Sequence, residues 1–63
     1  MQSAFSEGQV VKVGNISNTI ISIDLDVHPD IDGLEQDNLI VLETEDGEFI
    51  HHYESELITK VDS

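Results

Sequence analysis

Leu39-Ile40-Val41-Leu42-Glu43-Thr44-Glu45-Asp46-Gly47-Glu48-Phe49-Ile50-His51-His52-Tyr53 is the stretch on which the fold turns. Two runs rich in branched and aromatic residues flank Asp46-Gly47. An Asp-Gly pair so placed is among the strongest short hairpin signals, because a type I′ turn needs φ > 0 at both central positions. The first run, Leu39–Thr44, starts apolar on both faces, as a central strand does. Ile40 and Leu42 alternate against Leu39 and Val41, and either pair can face the core. That register decides which acids are presented together.

Downstream, Glu54-Ser55-Glu56-Leu57 is too short for an α-helix and suits a single 3₁₀ turn. Ile58-Thr59-Lys60-Val61 then reads as a short last strand. Upstream, Ile21, Ile23, Leu25 and Val27 alternate with Ser22, Asp24, Asp26 and His28, the period of a strand with one buried and one wet face. Further back, Gln9–Val13 is a first strand closed by Gly14-Asn15. Residues 1–8 are polar and expected to be loose. Pro29-Asp30-Ile31-Asp32-Gly33 ends the second strand, and the stretch from His28 to Asn38 is long for a connection in a small barrel. Such a loop is the expected functional one, although Ile31 and Leu34 would also anchor a plain surface excursion. The expectation is five short strands and no convincing helical period.

Sixty-three residues make one domain, here 9–63 after the loose segment 1–8. A chain this short buries only about 60% of the surface that its unfolded form exposes, which leaves a thin core and no room for an enclosed active site. The absence of cysteine excludes disulfides and thiolate metal or redox sites. No apolar run approaches the roughly 20 residues of a membrane-spanning helix. Met1–Glu7 lacks the basic start and apolar stretch of a signal peptide, so cytoplasm is the expected compartment.

Charge is the outlying property. Fourteen acidic residues face two lysines, Lys12 and Lys60, for a formal net charge of −12. Solubility alone needs a magnitude of about 2–8 in a small domain. Such a surface repels nucleic acid and membranes and attracts basic protein surfaces. Two lysines cannot neutralise a useful number of phosphates, so direct nucleic-acid binding is disfavoured. A merely solvated surface, or adaptation to a salty interior, accounts for the same number. With 38% hydrophobic residues in clusters, the chain is not compositionally disordered.

A strand after a leading glycine, a long second strand and a long loop, then strand, tight hairpin, strand, a turn ending in Glu56-Leu57 and a short last strand, resembles small acidic SH3-like barrel proteins of bacteria and their phages, most tellingly from Leu39 to Val61. That group includes the bacterial carotenogenesis antirepressor, whose acidic SH3-like domain occupies the DNA-binding surface of a repressor. The resemblance covers about two-thirds of the chain. It implies an all-β, five-stranded SH3-like barrel and a role as an acidic decoy. Two departures limit it. The first loop, Gly14 to Asn18, is short, and the aromatics are only Phe5, Phe49 and Tyr53. Recognition of proline-rich helices needs an aromatic-lined groove, so that function is not implied.

The candidate partner-binding set is Asp24, Asp26, Asp30, Asp32, Glu35 and Asp37, joined by Glu43 and Glu45 near the hairpin. A spaced row of carboxylates can stand in for phosphates against Arg and Lys. Asp30-Ile31-Asp32-Gly33 echoes part of a calcium loop, but in that register the first ligand would be His28 and the last Leu39. His51 and His52 are adjacent, so on a strand they point to opposite faces and cannot share one ion. No metal or cofactor is expected. No nucleophile elbow, phosphate-cradling loop or cysteine nucleophile is present, and no catalytic activity is expected. The functional expectation is a phage-encoded or bacterial regulator that docks on a basic surface of a nucleic-acid-binding protein and inhibits or modulates it. The alternative is a structural or assembly subunit whose acidity serves solubility. A monomer or a weak homodimer through an exposed strand edge is expected.

Overall fold

A computed structural model describes residues 2–28 and 36–61. Four antiparallel strands form one open sheet in the order β1-β2-β3-β4: Val10–Val13, Ile16–Val27, Asp37–Thr44 and Phe49–Tyr53. A helix, α1, follows at Glu54–Lys60. The chain is therefore mostly β, as expected, with four strands and a helix among the described residues where five strands were expected.

The tail departs most from expectation. The 3₁₀ turn over Glu54–Leu57 is the first part of a seven-residue α-helix, which also takes Ile58, Thr59 and Lys60 from the expected last strand. Only Val61 keeps a strand-like contact, a single antiparallel bridge to Val13 on β1. Tertiary partners hold this short helix. Leu57 is fully buried, Glu54 nearly so, and acids in the first turn with Lys60 in the last suit the helix dipole.

The first hairpin turn falls at Gly14-Asn15 as expected, though tighter than the expected loop Gly14 to Asn18, and the second differs in type. Gly14 and Asn15 both take left-handed φ, 59° and 68°, as a type I′ turn requires, and β2 begins directly at Ile16. At the second turn only Gly47 is left-handed, at φ 84°. Gly47 N donates to Thr44 O (3.0 Å) and Thr44 N to Glu48 O (2.8 Å), so Glu45-Asp46-Gly47 forms a three-residue loop, not a two-residue type I′ turn.

The register settles the open face. Ile40 and Leu42 point inward with Asn38, and join Val11, Ile20 and Leu57 in the core. Leu39 and Val41 point outward. On β2 the expected buried row holds at Ile23 but fails at Ile21 and Leu25. Ile20 pairs with Leu42 and Ser22 with Val41, leaving Ile21 as an extra residue in a bulge. The bulge resets the alternation: Ile20 is fully buried and Ile23 packs against the core, whereas Ile21 and Leu25 are 42% and 53% exposed. A second irregularity lies between Asp24 and Val27, where Asp26 has φ 56°.

Segment 2–8 makes contacts that its polar composition does not announce. Phe5 packs against the core, and Ser3 Oγ and Ala4 N donate to the Glu54 carboxylate.

Candidate functional site

Among the described members of the acidic set, Asp24 and Asp26 lie at one end of the β2–β3 ladder and Glu43 and Glu45 at the other. Asp24 is exposed on the outward face, in one cross-strand row with Leu39 and Tyr53. Glu43 lies in another outward row, between Thr19 and Phe49. Leu39 and Glu43 are four steps apart on β3, so about 14 Å of strand separates the two rows. Glu45 belongs to the Glu43 end and accepts a hydrogen bond from Ser17 N at 2.9 Å. Asp26 is exposed at the Asp24 end, its backbone N donating to Asn38 Oδ1 at 3.1 Å. Asp30, Asp32 and Glu35, in the expected functional loop, lie outside the described residues. The set thus offers two acidic ends and no single described cluster.

Asp37 has a structural task. Expected in the loop, it and Asn38 instead open β3. Its Oδ1 accepts from Asn38 N (2.8 Å), and its Oδ2 accepts from Ser55 Oγ (2.6 Å) and Ser55 N (3.4 Å). Ser55 N is one of the orphan donors at the start of α1, so Asp37 caps that helix from another strand. Burial pushes its carboxyl up, but the bonds from Ser55 and Asn38 outweigh it and hold the pKa below the ordinary aspartate value.

The sequence reading missed Glu54. Its carboxylate accepts from Ser3 Oγ, Ala4 N (2.9 Å) and Asn38 Nδ2 (3.0 Å), which ties the N-terminal segment, β3 and α1 together. Burial pushes this carboxyl up and Asp37 adds to that, yet the three donors prevail and its pKa lies below the ordinary glutamate value. The one signal for it was spacing: Glu54 and Leu57 stand three apart, on one face of a helix if a helix forms.

Among the histidines, His51 sits outward beside Val41, and His52 pairs with Ile40 on the other face. His52 Nδ1 lies 3.0 Å from Glu56 Oε1, and Lys60 Nζ 3.9 Å from the same oxygen. No three His, Asp or Glu side chains converge as metal ligands would among the described residues. An open groove of about 440 Å³ lies between the N-terminal segment and β2, lined by Phe5, Ile23 and Leu25 with Ser3 and Glu7. No helix among the described residues is long and apolar enough to cross a membrane.

What this arrangement can do chemically is present a partly apolar sheet face between two acidic ends. Set beside known proteins, the chain matches no family model, no curated protein and no solved structure.

Proposed function

We propose that this chain is an acidic protein-binding module that docks on a basic surface of a nucleic-acid-binding protein and inhibits or modulates it, as a DNA mimic or antirepressor does. The observation that carries the reading is the charge of −12 from fourteen acids and two lysines. Exposed carboxylates at both ends of the β2–β3 ladder support it, with Asp24 and Asp26 at one end and Glu45 at the other. Steering by such charge speeds encounter with basic partners and rejects acidic ones. The Val13–Val61 bridge, which brings the chain end back to the first strand of the open sheet, supports relating the fold to an SH3-like barrel within this reading.

The experiment is capture of partners on the tagged protein at low salt, followed by elution with rising salt, beside an Asp24→Lys/Asp26→Lys/Glu43→Lys/Glu45→Lys variant. A basic nucleic-acid-binding protein that elutes as salt rises, and is not captured by the variant, is the expected result. Retention of a partner through high salt, or capture of none, defeats the proposal. The second reading, a subunit of a larger assembly, draws on the exposed Val10, Ile16, Phe49 and Ile58, which a packed interface would cover. Its interface would persist in salt.

A further inference from the structure

We infer that the outward face of β2, β3 and β4 is the docking surface and that its occupant is a basic amphipathic helix of the partner. This inference rests on the reading of the chain as an acidic binding module. In an antiparallel sheet with one wet face, alternation normally puts polar residues outside. Here the outward rows read Thr19–Glu43–Phe49, Ser22–Val41–His51 and Asp24–Leu39–Tyr53. The middle row carries no acid in a chain with fourteen, and Phe49 is 61% exposed. Leu39, Val41 and Tyr53 are only half-buried. Carboxylates stand at the two ends of this face, Asp24 at one and Glu43 with Glu45 at the other.

The shape and charge of the face select the occupant. A sheet face offers no free backbone hydrogen-bonding groups, so the element that covers it must satisfy its own, as a helix does. Three strands at a spacing of about 4.8 Å span about 10 Å, close to the diameter of a helix with its side chains. The two acidic ends are about 14 Å apart along β3, a length that a helix covers in about nine residues. The complementary ligand is a helix with one apolar stripe and Lys or Arg about nine residues apart at its ends. A second copy of this chain fits poorly, because it would bring acids against acids.

The test uses two synthetic peptides of identical Leu and Lys composition, one amphipathic as a helix and one scrambled, titrated into the ¹⁵N-labelled full chain. The amphipathic peptide is expected to bind about tenfold tighter or more, with amide shifts on Leu39, Val41, Phe49 and His51. A Val41→Thr/Phe49→Thr variant, which keeps strand-compatible residues, is expected to lose that preference while still binding the scrambled peptide. Equal affinity for both peptides, or shifts confined to the Glu45–Glu48 turn, overturns the docking face and leaves the acidic-module reading standing. Failure of both peptides to bind at low salt removes both. A dimer in sedimentation at high salt, with these same amides at its interface, also overturns the helix proposal.

Discussion

A carboxylate as buried as Glu54 destabilises a small domain unless donors surround it. Three donors do so here, from Ser3, Ala4 and Asn38. They also hold its folded pKa below the ordinary value. A depressed carboxylate contributes stability that is present above the unfolded pKa and is lost as pH falls through the folded one. Asp37 acts in the same direction. Glu54→Gln keeps the shape but removes the charge and places a donor where acceptors are needed. It is expected to destabilise the chain by about 1–3 kcal/mol at neutral pH. The gap from the native chain should narrow as pH falls below about 4. Urea unfolding of both proteins across that range measures it, and a gap independent of pH would assign the effect to packing.

At the scale of elements, the second hairpin depends on Gly47 and the helix depends on its neighbours. Gly47 stands at φ 84°, and a Cβ added there would meet nothing within 4 Å. The cost of Gly47→Ala is thus backbone strain alone, about 1–2 kcal/mol. Gly47→Asn should recover part of it, since asparagine tolerates the left-handed region better. A drop in urea midpoint for Ala that exceeds the drop for Asn is the expected result. Equal losses would mean that the strain argument is wrong. Helix α1 is a different case, because isolated helices shorter than about 12–15 residues are marginal in water. Its seven residues persist through Leu57 in the core, the Glu54 network and the cap from Asp37. Those partners lie elsewhere in the chain, which is why Glu54–Lys60 reads from local sequence as a turn and a strand.

At the scale of the whole molecule, self-repulsion opposes compaction. With fourteen acids and two lysines, opposite-charge pairs are few by composition, and like-charge repulsion dominates. Raising salt shortens the Debye length from about 30 Å at 0.01 M to about 3 Å at 1 M. The urea midpoint should therefore rise with sodium chloride at constant pH. The His52–Glu56–Lys60 contacts, being surface pairs, forfeit little in exchange. A midpoint that falls with salt would show that specific ion pairs outweigh the repulsion.

Charge, β-richness, the central strand Leu39–Thr44 and the hairpin that follows it were legible in the sequence, because composition and local periodicity determine them. Asp24 and Glu43 could be named as acids in strands, but not as the two ends of an outward face. That division came from register, which a single bulge at Ile21 altered by moving the buried position on β2 to Ile20. Asp37 and Glu54 acquired structural tasks only because donors from distant segments converge on them. Local chain chemistry determined which residues favour strands and turns. Tertiary structure decided the helix, the inward face and the grouping of the acids, since each depends on contacts between residues far apart in the chain.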